Sequence, residues 1–185
     1  MRLFVAVWPP EEVLERVAAL PRPEVRGLRW TSPDQWHVTL RFLGEADVDE
    51  VLAVFRRIDV ESAGETVAEL GPRTGRFGQR ILHVPVQGLE RLARVTVRAT
   101  RGMGKPPEQR RFSGHLTLAR GRGIGVDLRP FAGRPLGGRW PVEALTLVCS
   151  RLRAGEGGTA RYEVVEELAL PPAPPVSPAF PAFPA

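Results

Sequence analysis

Cysteine is nearly absent from this sequence: Cys149 is the only one in 185 residues. An intrachain disulfide is therefore excluded, and the composition fits a reducing compartment, so a cytoplasmic location is expected. Cys149 ends the apolar run Leu145-Thr146-Leu147-Val148-Cys149 and reads as a buried structural thiol rather than a nucleophile. Long hydrophobic runs are missing too. No stretch approaches the length that spans a bilayer, so no membrane partner is expected. The opening Leu3-Phe4-Val5-Ala6-Val7-Trp8 is too short for the apolar region of a signal peptide and reads as a strand. Lysine is scarce: of 26 basic residues only Lys105 is lysine, the others arginine. The net charge of +5 and pI near 10.7 point to an anionic partner, and arginine suits bidentate contact with phosphate. No glycine run ends in Gly-Lys-Ser/Thr, and Gly121-Arg122-Gly123-Ile124-Gly125 has no helix behind it, which disfavours a nucleotide-driven enzyme.

Histidine is rare as well, with three in the chain, and two of them share one frame. His37-Val38-Thr39-Leu40 and His115-Leu116-Thr117-Leu118 each place His and Thr two apart, on one face of an extended segment. With nine threonines in 185 residues, two such coincidences from three histidines have a composition-based probability under ~1%. The frames together offer two imidazoles and two hydroxyls able to converge on one small anion. Two histidines without a separate nucleophile make a general acid–base pair, which points to phosphate ester chemistry. The acid and the base cannot be told apart at this level. Neither frame has the spacing of a zinc site, so no metal is expected.

Along the chain, residues 3–8 read as a strand and Pro9-Pro10-Glu11-Glu12 opens a helix to about Leu20. Ser32-Pro33-Asp34-Gln35 is a turn. Residues 36–43 alternate, which assigns Trp36, Val38, Leu40 and Phe42 to the core face and carries Arg41 to the His37/Thr39 face. Asp47 caps a helix bearing Val51, Leu52, Val54 and Phe55. Residues 66–86 read as two strands, the second carrying His83, which lacks a Thr partner and is taken as structural or surface. A helix follows over about 89–103, then the second frame strand over 112–119 and a Gly/Arg/Pro-rich loop over 120–138. Two strands, about 142–150 and 161–168, flank a turn at Gly155–Gly158. Arg101, Lys105, Arg110, Arg111, Arg120 and Arg122 cluster around the second frame, where a nucleic-acid backbone could lie. The frames start 78 residues apart, a spacing that fits two similar α+β halves facing each other across a cleft. Residues 1–170 are read as one domain and 171–185 as a Pro-rich tail without a regular ladder.

Residues 30–44, Trp-Thr-Ser-Pro-Asp-Gln-Trp-His-Val-Thr-Leu-Arg-Phe-Leu-Gly, and 112–120, Phe-Ser-Gly-His-Leu-Thr-Leu-Ala-Arg, resemble the two signatures of the RNA 2′,3′-cyclic phosphodiesterases. That family, formerly the 2′-5′ RNA ligases, belongs to the 2H phosphoesterase superfamily. The resemblance extends over about residues 1–170. It implies a bilobal α+β fold, with two pseudo-symmetric lobes whose antiparallel sheets face a central cleft and whose helices lie outside. It also implies metal- and cofactor-independent hydrolysis of an RNA terminal 2′,3′-cyclic phosphate to a 2′-phosphate, tRNA fragments being one such partner; a monomer is expected. By the same resemblance His37 protonates the leaving 3′ oxygen, His115 activates water, and Thr39 and Thr117 bind phosphate. Arg41 and Arg120 are candidate substrate contacts, although Arg120 falls on the opposite parity from Thr117. The family commonly has proline before the second histidine; Gly114 stands here, and a looser start to that strand is expected. The alternatives are 2′-5′ RNA ligation by the same groups and a non-catalytic RNA-binding module.

Overall fold

The computed structural model describes residues 1–122, 126–152, 160–174 and 176. The Gly155–Gly158 turn, the glycines at 123 and 125, and the tail at 175 and beyond 176 lie outside the described residues.

Among the described residues, ten strands join in one strongly curved antiparallel path, β10-β9-β1-β3-β7-β6-β4-β8, with β2 added beside β7 and β5 beside β6. The strands are β1 (Arg2–Val7), β2 (Leu28–Trp30), β3 (Val38–Glu45), β4 (Val67–Leu70), β5 (Gly75–Phe77), β6 (Ile81–Gln87), β7 (His115–Gly121), β8 (Gly138–Pro141), β9 (Ala144–Arg151) and β10 (Arg161–Ala169). The helices are α1 (Glu11–Ala18), α2 (Val48–Phe55) and α3 (Glu90–Ala99). Among the described residues none is long and apolar enough to cross a membrane.

The path divides at its middle into two lobes, β10-β9-β1-β3 and β7-β6-β4-β8, in keeping with the α+β expectation. In each, a strand, a helix and a second strand recur in order: β1-α1-β3 in the first lobe, β6-α3-β7 in the second. Each helix packs across to the other lobe. Val13 and Val17, four apart on α1, are buried, and Val13 rests on Gly138 of β8, where a Cβ would approach its methyl to 3.2 Å. α3 buries Leu92, Ala93, Val95 and Thr96 and packs against β3. One apolar cluster accordingly runs through both lobes, from Leu3 and Val38 to Leu116 and Trp140. Cys149 is buried within it.

At the division, β3 and β7 share a single paired position, Val38 with Leu116. The strands then diverge, and the cleft opens from this seam. Both frame strands also carry a bulge at the same place. Thr39 pairs with Ala6 but Arg41 with Val5, leaving Leu40 unpaired. Thr117 pairs with His83 but Ala119 with Leu82, leaving Leu118 unpaired. An unpaired residue reverses the parity of everything beyond it, and this overturns two expectations. Phe42, expected on one face with Val38 and Leu40, lies on the face of Thr39, where it still packs in an apolar cluster, a small one with Phe4, Trp8 and Tyr162. Arg41, expected in the cleft, turns to the opposite face.

Candidate active site

The seam brings the two frames together. Because the middle residues Val38 and Leu116 pair antiparallel, the register sets each histidine across from the other frame's threonine, related by a local twofold. His37, Thr39, His115 and Thr117 line one cavity of about 380 Å³, a size suited to a small ligand. Arg29, Arg120 and Arg122 line it from the β2–β7 side, and Tyr162 and Leu152 from the first lobe. Among the described residues its lining holds no carboxylate and no thiol, and no group of three or more His, Cys, Asp or Glu is gathered as a metal site would require.

The histidines differ in their surroundings. His37 is enclosed by rings: Phe4 stacks at 4.8 Å between centroids, Trp8 is tilted at 5.0 Å and Tyr162 stands edge-on at 5.0 Å. Burial is the main cause that pushes its pKa down to about 4, and the charges of Arg120 and His115 add to it. No hydrogen bond of ordinary geometry reaches its Nδ1, although the Gln35 backbone lies close enough to oppose part of the shift. His115 is held from behind, its Nδ1 2.9 Å from the Ser113 carbonyl. A carbonyl only accepts, so Nδ1 donates and Nε2 is the nitrogen left for chemistry. Burial lowers this pKa too; the Ser113 carbonyl opposes it, Arg120 and Arg110 lower it, and Glu108 raises it.

Arg120 lines the cavity because the bulge at Leu118 reverses its parity. Thr31 satisfies that bulge: its hydroxyl lies 2.8 Å from both the Thr117 and Leu118 carbonyls and accepts from the Trp36 indole at 2.9 Å. Arg41 is 5% exposed. Its guanidinium donates to the Phe42, Met103 and Lys105 carbonyls, tying β3 to the segment after α3, and it is absent from the cavity lining. The twofold counterpart of Arg41 is Ala119, paired with Leu82 as Arg41 is with Val5.

Gly114 does not loosen the second frame. A Cβ there would come 2.4 Å from the Val86 carbonyl, and the Gly114 carbonyl accepts from the Val86 amide at 2.8 Å. The glycine lets the start of β7 lie tightly against β6.

Local patterns do not reveal the groups that arrive from distant segments. Tyr162, the sole tyrosine of the chain, reaches the cavity because β10 pairs with β9 and β9 with β1. His83 is 7% exposed, stacks on Phe77 at 3.8 Å and stands 5.7 Å from His115. Burial, then the His115 charge, pushes its pKa down to about 4. Of the two readings, structural or surface, the structure favours the first, and it sets this imidazole directly behind a site histidine. A single-sequence signal existed only for Tyr162, a lone aromatic at the start of an alternating strand.

The fold and sequence have counterparts among known proteins. The family described as LigT like Phosphoesterase matches residues 7–71. An RNA 2′,3′-cyclic phosphodiesterase of Thermus thermophilus is 33% identical over 186 residues, spanning 92% of this chain and 90% of that protein. One of Bacillus subtilis (strain 168) is 30% identical over 132 residues, 63% of this chain and 69% of the other. Among solved structures, a Thermus thermophilus protein superposes with a TM-score of 0.74 at 29% identity, covering 92% of this chain and 98% of its own. E. coli LigT complexed with 3′-AMP follows with a TM-score of 0.65 at 26% identity, covering 91% and 97%.

Proposed function

This chain belongs to the LigT-like RNA 2′,3′-cyclic phosphodiesterase family of 2H phosphoesterases, and we propose that it opens terminal 2′,3′-cyclic phosphates of RNA to 2′-phosphates by metal-independent, two-histidine catalysis. The observation that carries this reading is the Val38–Leu116 pairing, which apposes two His-x-Thr frames across one cavity. The donor set there, two imidazoles and two hydroxyls with no carboxylate among the described residues, suits proton transfer and phosphate binding rather than a divalent cation.

In this mechanism Thr39 and Thr117 donate to the non-bridging oxygens as charge builds on phosphorus. His115 Nε2 takes a proton from water as the water oxygen bonds to phosphorus. The bond from phosphorus to the 3′ oxygen breaks, and His37 gives that oxygen its proton. The enzyme leaves the step with His115 charged and His37 neutral, and exchange with solvent restores the starting state. Without substrate the His37 pKa is held down at about 4, so the anionic cyclic phosphate itself supplies the charge that favours the imidazolium. Protonation of the acid is thereby coupled to substrate binding.

The test is incubation with a short RNA ending in 2′,3′-cyclic phosphate, in EDTA, with and without a 5′-hydroxyl RNA. A 2′-phosphate product, lost in both His37→Ala and His115→Ala, is expected. Abolition by chelation with restoration by zinc would overturn metal independence. A 2′-5′-joined product would reassign the reaction to ligation, and RNA binding without turnover would reduce the protein to a binding module.

A further inference from the structure

Two histidines carry the proposed chemistry, and the third, His83, lies buried beside one of them. The register places it there. Across β5, β6 and β7, Gly75, His83 and Thr117 stand in one row, and residues directly opposite share a face of the sheet. His83 is thus the cross-strand neighbour of one frame hydroxyl and lies diagonal to His115. Gly75 makes the room, since a Cβ there would come 3.1 Å from the His83 ring. Two residues on, Phe77 stacks on that ring with planes 10° apart. β5 has three residues, and two of them enclose one imidazole.

Both flat rings meet His115. Its plane stands at 87° to Phe77, with 5.0 Å between centroids, and at 78° to His83, with 5.7 Å, the edge-to-face arrangement that aromatic rings favour. The Ser113 carbonyl holds one atom of His115, Nδ1. One hydrogen bond fixes a point and leaves the plane free to turn, because the outer torsion of histidine is broad. The perpendicular pair bars that rotation. The local twofold gives the contrast: Thr117 pairs with His83, whereas Thr39 pairs with Ala6, so the first frame has no ring at the matching position. His83 Nδ1 makes no hydrogen bond and that of His115 is committed to Ser113; what the buried ring offers its neighbour is shape, not a proton.

We propose that His83, gripped by Gly75 and Phe77, is a positioning residue that fixes the plane of His115 and so keeps the Nε2 of that base turned to the cavity. The role rests on the phosphodiesterase reading for the proton transfer it serves; the placement itself does not depend on substrate. A displacement of about 1 Å in such a group costs on the order of 10² in rate. His83 stays uncharged in this role. A charge on it would oppose the one arriving on His115, which Arg120 and Arg110 already oppose and which Glu108 and the Ser113 carbonyl favour.

His83→Ala removes the wall, and His83→Phe rebuilds it without a titratable group. With a dinucleotide 2′,3′-cyclic phosphate, well below Tm, His83→Ala should lose about 10- to 100-fold in kcat with KM unchanged. His83→Phe should keep the wild-type kcat and pH–rate profile. A merely structural role would lower Tm and leave the kcat of the folded protein alone. Should the alanine variant not fold, His83→Leu, which keeps bulk without a flat face, takes its place. Imidazole ¹⁵N NMR reads the placement without turnover: His115 should be a single tautomer protonated at Nδ1 in wild type and His83→Phe, and a mixture in His83→Ala. Wild-type kcat and a single tautomer in His83→Ala would overturn the role. So would a His83→Phe variant as inactive as His115→Ala, which would make His83 a proton carrier. If wild type hydrolyses no cyclic phosphate while the tautomer responds as expected, the phosphodiesterase reading fails and the placement of His115 stands.

Discussion

His37 and His115 occupy equivalent places on equivalent strands, yet one sits inside three aromatic rings and the other faces a cationic rim. The repeated β-α-β unit supplies matching groups; it cannot supply the difference that acid–base catalysis needs, because one imidazole must give a proton while the other takes one. The difference comes from what each lobe adds around its frame. The first adds Phe4, Trp8 and Tyr162. The second adds Arg120, the Ser113 carbonyl and the His83–Phe77 stack. Symmetry places the groups, and in the proposed mechanism departures from symmetry assign their tasks.

The most damaging change to this asymmetric pair is removal of either imidazole. His37→Ala and His115→Ala should each cost on the order of 10²–10⁴ in kcat, measured with a cyclic-phosphate RNA; full activity in either variant would end the two-histidine mechanism. Next come the hydroxyls. Thr39→Ala and Thr117→Ala should each lose on the order of 10² in kcat, with similar values if both donate to the same phosphate. A disparity of about tenfold or more between them would show that the twofold is broken at the hydroxyls as well.

The pH profile separates the two histidines further. In the proposed mechanism His37 is the acid and must be protonated; its pKa in the free protein is about 4, so kcat/KM should fall about tenfold per pH unit through neutrality. In the bound complex the phosphate charge raises that pKa, so kcat should hold to higher pH. Trp8→Ala readmits water to His37, lifts its pKa and should move the alkaline limb of kcat/KM upward. A limb that stays fixed would detach the aromatic cage from the titration. The smallest effect belongs to the opposite faces of the bulged strands. Arg41→Ala leaves the Phe42, Met103 and Lys105 carbonyls without a donor, and should lower stability by about 1–3 kcal/mol, read as a lower Tm. Its counterpart Ala119 holds no such network, so Ala119→Gly should cost less.

The frames, most strand positions and the α+β class were legible because they rest on local patterns: period-two alternation in β3 and β7, apolar spacing in α2, and the Asp47 cap, whose carboxylate accepts from the Asp49 and Glu50 amides. The bulges at Leu40 and Leu118 were not. A leucine in a bulge looks like a leucine in register, and the device that stabilises the second bulge, Thr31, lies 86 residues from Thr117. Strict alternation consequently sent Arg41 to the cleft face and Phe42 to the Val38 face, each opposite to the face it occupies, and left Arg120 one residue out of phase. β2 and β8, three and four residues long, were hidden in segments rich in proline, glycine and arginine, since pairing partners rather than propensity make them strands. Helix ends were overrun, α1 to Leu20 and α3 to Met103, because the apolar pattern continues past Ala18 and Ala99 into turns.

The exchange of helices between lobes bears on how the protein comes apart. With α1 lying on β8 and α3 on β3, each half is roofed by a helix that the other half owns. Neither lobe can melt while its neighbour stays whole, and a fragment cut between them would expose apolar strands on both sides. Denaturation should thus be a single transition, in which the cleft does not loosen ahead of the rest: the two imidazoles remain apposed for as long as the molecule is folded at all.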